Sequence, residues 1–526
     1  MAKATKSIIG GMTVLGVTGI VCKLVGVLFS VPLTMLIGAD GLGVFQSVFP
    51  TYNLLLTISS AGLPVAISRM VSHCLAKDDP RNAHRVFKTA LWLLLALGCF
   101  CSLLMLVGSG TLTRIVHSEQ TLAGFQVIAP CVALVCALSA FRGFIQGQQN
   151  MVPTAISQLI EQVGKVFISL PLAALGAQRS VAYGAAGALL GITVVEALAL
   201  LYMIVRYLRH RSAFAAIPQL SQEPPLSGRT LAGRLMRISI PITISACIVP
   251  LAQFVDSAML IDRMMAAGLT HAQAQPLYGL FSGTVIRLIN VPTALALAVS
   301  MSLMPAISAA KALEDYDTIA RNSDQGLRFA FLIGFPCSVG MSLLAKPLLA
   351  FFYAETLSAE HLQIASELLT VSSLTVVLFT VVQATSSILQ GLHKQRIPMY
   401  TLIAGVGCKI ALNYTLVGIP GIDIHGAPIA SIVCYFVSMA PNLFFVVKYG
   451  KMRFNWMGWV VRPAAATACM GVVVYLLRTL LPVSRLCTLL EIAVGVAVYV
   501  TAALLLKAVS PEDFRALRRG RKRGNA

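Results

Sequence analysis

Long apolar runs recur along this chain from residue 8 to residue 507, separated by short polar stretches. Each run reaches the length of about 18 residues or more that lets a helix cross a hydrocarbon core of about 30 Å. Counting them predicts fourteen α-helical spans, near 8–36, 44–68, 87–110, 121–141, 153–176, 181–205, 237–261, 278–304, 327–350, 364–389, 398–419, 426–447, 456–480 and 485–507. A membrane β-barrel needs alternating segments of about 10 residues instead, and the sequence has none. The expected fold is an all-α polytopic membrane protein. Fourteen is even, so both termini are expected on one side.

Composition supports this pattern. Of 526 residues, 57% are hydrophobic and only 11% charged, where a soluble domain carries about 25% charged residues. The mean hydropathy is +0.82. A formal charge of +20 suggests nucleic acid, but the cations sit in short loops between spans and not on one face of a soluble domain. Their asymmetry identifies the inside. The N-terminus, the loops after even-numbered spans and the C-terminal tail hold 29 of the 40 Lys and Arg, and the opposite side only six. This bias predicts a plasma-membrane protein with both termini in the cytoplasm. The twelve cysteines show no CxxC pair and no metal-ligand spacing. Small core residues are the simplest reading of Cys99 and Cys101.

The stretch 207–236, with "IPQLSQEPPLSGRT", reads as a cytoplasmic linker. It separates a lobe of six spans (1–206) from a second lobe of six (237–450). The last two spans (451–508) and a basic tail (509–526) come after them. The lobes repeat one another: Gln146, Gly147 and Lys165 recur as Gln390, Gly391 and Lys409, "GLPVAIS" as "LMPAIS", and "GAAGA" as "GAPIA". A duplication with a period of six spans gives parallel, pseudo-symmetric copies related about the membrane normal. Such copies are suited to rocking around a central cavity, which points to a transporter.

A charge at mid-bilayer costs at least about 2.5–3.5 kcal/mol on insertion scales and is a functional candidate by default. Away from the span ends assigned to the charge bias, five cations are read as intramembrane: Lys23, Arg69, Lys165, Arg287 and Lys409. Lys23, Arg69 and Arg287 come from both lobes, and their convergence in the cavity would favour an anionic ligand. Guanidinium groups suit phosphate through bidentate hydrogen bonds. The bland alternative for each is snorkelling to an interface. Glu161 and Lys165 form an (i, i+4) pair, expected to neutralise itself along one face and set helix packing, or else to line the cavity. Lys409 has no acid four residues away. Asp256 and Asn413 offer oxygen ligands for sodium but are too few to specify a site. No phosphate loop, HExxH or GxSxG occurs, so no enzyme activity and no cofactor is expected. Active transport would draw on a Na+ or H+ gradient or on the membrane potential.

The stretches "GLPVAISRMVS", "RGFIQGQQNMVPTAISQLIEQVGK", "YGAAGALLG" and "NVPTALALAVSMSLMPAIS" resemble the polysaccharide-transporter branch of the MOP flippase superfamily. Within it the chain is most similar to the stage V sporulation protein B and MurJ-like lipid II flippase group, over about residues 1–450. The resemblance implies fourteen helices around a cationic, inward-facing cavity that flips undecaprenyl-pyrophosphate-linked glycans, above all lipid II. It implies cavity cations at Lys23, Arg69 and Arg287, an acid at Asp40, and a lipid-tail groove formed by the last two spans. It also implies membrane lipids and cell-wall synthesis proteins as partners. Two departures reduce the expected charge of the cavity: Phe29 and Asn290 stand where some members carry an arginine and an acid. Two other readings compete, a cation-coupled multidrug exporter of the same superfamily and a membrane scaffold. The first needs an acid-lined cavity, and the second needs neither duplication nor mid-span charge.

Overall fold

The computed structural model describes residues 2–77, 79–215, 227–482 and 484–508. Within these, side chains at 2–17, 19–20, 23–24, 27–28, 210–215, 294–295, 297–299 and 301–302 lie outside the description. All fourteen expected spans fall on helical backbone, and the described residues contain no strand. Eleven helical stretches among the described residues are long and apolar enough to cross a membrane. The first two spans run together in one of the helices, Ala2–Ser60, bent at Gly38. Gly38 adopts φ 67° and ψ −174°, a region that a Cβ strongly disfavours. The reversal expected across 36–44 is thus made at a single residue. The linker's residues 216–226 and the basic tail lie outside the described residues.

The second span is broken. Its helix stops at Ser60 and restarts as Leu63–Ala76, with Pro64 in the first turn, where a missing amide hydrogen costs nothing. Between the halves, the Gly62 amide donates to Thr243 Oγ1 at 3.1 Å. A Cβ on Gly62 would lie 2.2 Å from the Ser239 carbonyl oxygen. Only glycine permits that approach.

The contacts gather into two compact units, residues 1–283 and 284–526. In the first, helix Gly228–Ala266 packs on the broken second span, and Gly279 sits against Gly43, where a Cβ would come within 2.5 Å of the Gly43 nitrogen. The core of this unit includes an aromatic cluster in which Phe87 lies 4.6 Å from Phe144 and 5.1 Å from Tyr207, centroid to centroid. In the second unit the largest buried side chain is Trp459. Its Nε1 donates to Asp324 Oδ1 at 2.7 Å, so the indole is buried without an orphaned donor.

Each unit makes one recurring contact that carries the sequence repeat into three dimensions. In the first, the Ser72 hydroxyl donates to the Gly147 carbonyl at 2.7 Å, and a Cβ on Gly147 would meet Val71 Cβ at 2.7 Å. In the second, the Ser308 hydroxyl donates to the Gly391 carbonyl at 3.3 Å, and a Cβ on Gly391 would meet Ile307 Cβ at 3.0 Å. The repeated Gln-Gly motif is a helix-crossing point used twice.

Among the described residues, three π-turns interrupt the helices, at Lys165–Ser169, Leu280–Val285 and Met457–Val461. A π-turn inserts one extra residue and rotates the remainder of its helix, and such turns concentrate at functional positions. The first opens on Lys165. The second ends two residues before Arg287.

Candidate functional site

Among the described residues, a group of charged side chains lies at the fourth and fifth spans of the first unit, and its pairing differs from the sequence expectation. Helix Leu122–Gly147 carries Arg142 in its last turns, and helix Val152–Gly164 presents Ser157 and Glu161 one turn apart. The Arg142 guanidinium spans that turn. Its Nε and Nη2 donate to Ser157 Oγ at 2.9 and 2.8 Å, and Nη2 also ion-pairs with Glu161 Oε1. The Ser157 hydroxyl donates its own proton to the Thr154 carbonyl at 2.8 Å. A planar fork of donors reaches an acceptor pair that an ammonium on the same helix as Glu161 cannot.

The expected (i, i+4) neutralisation of Lys165 by Glu161 is therefore replaced by a bond between helices. Among the described residues Lys165 makes no hydrogen bond or ion pair, and it is half-buried. Glu196, on helix Val181–Ala215, faces the same cluster. It is only 5% exposed. Glu161, Lys165 and Arg142 are its electrostatic neighbours. Glu196 Oε2 is buried with no hydrogen-bond partner. Around the group, Cys22 of the first span donates to the Gln158 carbonyl at 3.7 Å, and Tyr52 Oη lies 3.3 Å from Cys131 Sγ.

The other expected residues are spread over both units. Lys23 lies in helix Ala2–Ser60, and its side chain is outside the described residues. Arg69 is exposed on helix Leu63–Ala76, and Asp40 is exposed two residues beyond the Gly38 bend. These three belong to the first unit. Arg287 belongs to the second, half-buried near the start of helix Ile286–Ala312, with Tyr353 as an electrostatic neighbour. Asn290, one turn further on, is exposed. Lys409 is half-buried in helix Arg396–Leu416, which has no π-turn. Asp256 is buried in the first unit and Asn413 in the second. Among the described residues no group of three or more His, Cys, Asp or Glu is placed to hold a metal.

Arg142 was missed because it follows the fourth apolar run and reads as a loop cation. The repeat carried a usable signal. At the offset of 244 that relates Lys165 to Lys409, Arg142 corresponds to Ser386 and Glu161 to Gly405. The base and the acid are absent together from the second copy, as expected of partners.

The family model described as polysaccharide biosynthesis protein matches residues 8–311, and one described as MatE matches 241–415. The chain is 25% identical over 467 residues to the lipid II flippase MurJ of Bacillus subtilis (strain 168), covering 86% of this chain and 84% of that protein. It is 26% identical over 431 residues to stage V sporulation protein B of the same organism, covering 82% and 81%. Among solved structures, a lipid II flippase MurJ in an inward closed conformation superposes with a TM-score of 0.70 at 12% identity, covering 93% of this chain and 98% of that one. With its helical stretches long enough to cross a membrane, the chain is a multi-pass membrane protein that belongs to the polysaccharide biosynthesis protein family of the MOP flippase superfamily.

Proposed function

We propose that this protein flips a lipid-linked anionic glycan, carried on undecaprenyl pyrophosphate, from the inner to the outer leaflet. Lipid II is the substrate to test first, because a relative that carries its name matches over more than four-fifths of its length. The two repeats, with both termini cytoplasmic, would rock in alternating access driven by a Na+ or H+ gradient or by the membrane potential. The observation that carries the reading is the state of the charges. Glu161 is engaged by Arg142, while Lys165 and Arg287 stay partly accessible within apolar spans. In the first unit, an acid that is neutralised beside a lysine that is not leaves positive charge within the spans, which favours an anion such as a pyrophosphate. Lys23, Arg69 and Arg287 are assigned to the headgroup, with Asp40, Asn290 and Lys409 at its margins.

The match to the MatE model over 241–415 supports a second reading, a cation-coupled multidrug exporter. Purified protein separates the two. Binding of prenyl pyrophosphates supports the flippase, and binding of organic cations alone supports the exporter. In cells depleted of their lipid II flippase, expression of this chain should restore growth, and Arg287→Glu should abolish rescue without loss of membrane insertion. Failure of the unaltered chain despite normal insertion would move the assignment to another lipid-linked glycan. Full rescue by Arg287→Glu would overturn the site.

A further inference from the structure

A groove of about 510 Å³ lies in the first unit where the fourth, fifth and sixth spans meet, and none of the charged groups described above lines it. Its walls come from helices Leu122–Gly147, Leu170–Ala177 and Val181–Ala215. Two glycines set its floor. A Cβ on Gly187 would lie 2.2 Å from the Leu172 carbonyl oxygen, and one on Gly176 would lie 2.1 Å from the Tyr183 carbonyl oxygen. The fifth and sixth spans therefore run in backbone contact, and the missing side chains leave a trough. Val127, Leu172, Leu175 and Leu190 make its apolar sides. Leu175 and Leu190 are exposed, so the trough opens at the surface of the spans.

One end of the groove is polar. The fifth span closes in a tight turn, where the Arg179 and Ser180 amides both donate to the Gly176 carbonyl, at 3.0 and 3.3 Å. Ser180 then caps the sixth span: its Oγ accepts from the Tyr183 amide at 3.3 Å, and its carbonyl from the Gly184 amide at 2.9 Å. This turn carries Gln178 and Arg179 to the mouth, beside Tyr183. Arg179 is the one charged residue that lines the groove. It is exposed, and among the described residues its side chain makes no hydrogen bond or ion pair. The positive end of the sixth span's helix dipole lies at the same place.

We propose that this groove binds an anionic phospholipid, with one acyl chain in the trough and the phosphodiester on Arg179. Apolar walls that open within the spans favour hydrocarbon over water, and the volume falls within the range of about 300–1,000 Å³ common to small-ligand sites. Charge selects the headgroup. A phosphodiester carries a single negative charge, which one guanidinium meets through two hydrogen bonds. A pyrophosphate would leave charge unmatched, so the groove is distinct from the site assigned to the transported lipid. Tyr183 sets an aromatic ring with a polar tip beside the headgroup, the placement that interfacial tyrosines adopt. The sixth span runs from this turn to the linker at its other end. With the linker in the cytoplasm, as the charge bias predicts, the groove faces the outer leaflet.

The site does not depend on what the protein transports, so its test reads lipid binding alone. Purified full-length protein in non-ionic detergent is titrated with dioleoyl phosphatidylglycerol, or with zwitterionic dioleoyl phosphatidylethanolamine, and bound lipid is counted by native mass spectrometry. Phosphatidylglycerol should bind about tenfold more tightly, the scale of one hydrogen-bonded charge contact. Arg179→Gln should remove that preference. Arg114→Gln, at another exposed cation outside the groove, should keep it. Ala123→Trp fills the trough without changing charge and should weaken the binding of both lipids. Dihexanoyl phosphatidylglycerol, whose chains are too short to fill the trough, should bind weakly and makes the same test without a substitution. A preference that survives Arg179→Gln, or that Arg114→Gln removes equally, overturns the site. Tight binding of the short-chain lipid means an ion contact without a seated chain and also overturns it. Displacement of phosphatidylglycerol by a lower concentration of farnesyl pyrophosphate overturns the phospholipid assignment. Each of these failures leaves the flippase reading where it stands.

Discussion

The two copies of the repeat differ in the side chains they place at matching positions between their last two spans. In the first unit the fifth span carries Glu161, held by Arg142 from the fourth, and the sixth carries the buried Glu196. At the corresponding places the second unit has Gly405, Ser438 and Ser386, at offsets of 244, 242 and 244. There the eleventh and twelfth spans close directly. A Cβ on Gly405 would lie 2.4 Å from both the Cys434 carbonyl oxygen and Ser438 Oγ. The Ser438 hydroxyl donates to the Cys434 carbonyl at 2.9 Å and reaches the Thr401 carbonyl of the eleventh span at 3.2 Å. Both copies close these helices with glycines, Gly187 and Gly191 serving in the first, but only the first also places ionisable groups there. The lysine survives in both, as Lys165 and Lys409, but only the first opens a π-turn. A duplicated scaffold can thus keep a lysine in two places while setting just one of them at the head of a π-turn.

The largest test of this contrast is Arg142→Ala, which leaves Glu161 charged and unpartnered in the interior. Removing one member of a buried pair costs about 3–5 kcal/mol, and unfolding in detergent should show it. Ser386→Ala, at the matching place, should stay within about 0.5 kcal/mol. Equal effects would mean that the cluster holds nothing together. The converse test is Gly405→Ala, which forces apart helices in van der Waals contact and should destabilise the second unit by about 1–3 kcal/mol. Next, if the flippase reading holds, Lys165→Gln should weaken farnesyl pyrophosphate binding about tenfold or less, and by more than Lys409→Gln does. Equal losses would mean that the π-turn at Lys165 sets the two lysines apart in no functional way. The smallest expected effects probe what the copies share. Gly147→Ala and Gly391→Ala should each cost about 1 kcal/mol, the first more because its added Cβ meets Val71 more closely. Sensitivity at only one glycine would break the equivalence of the two crossings.

Much of this molecule is legible in one dimension. Helices in a bilayer must satisfy their own backbone, so apolar run length alone placed all fourteen spans, and the repeat marked the Gln-Gly crossings. Charge pairing was not legible. The spacing of Glu161 and Lys165 satisfied the rule for neighbours on one helix, yet Arg142 outcompetes Lys165 from another helix because its guanidinium can serve Ser157 and Glu161 at once. Nor does any local pattern mark the π-turn at Lys165, since it depends on how the fifth span fits its neighbours.

The sequence by itself determined the membrane class, the span count, the duplication and the inventory of interior charges. These come from hydrophobicity and covalent order, which act along the chain. Only the tertiary structure decided which acid meets which base, where helices touch closely enough to require Gly62 or Gly405, and that Glu196 Oε2 lacks a partner. The reason is electrostatic and steric: in a medium that screens poorly, the partner of a charge is the group that arrives with the best geometry, and that group is set by packing between helices.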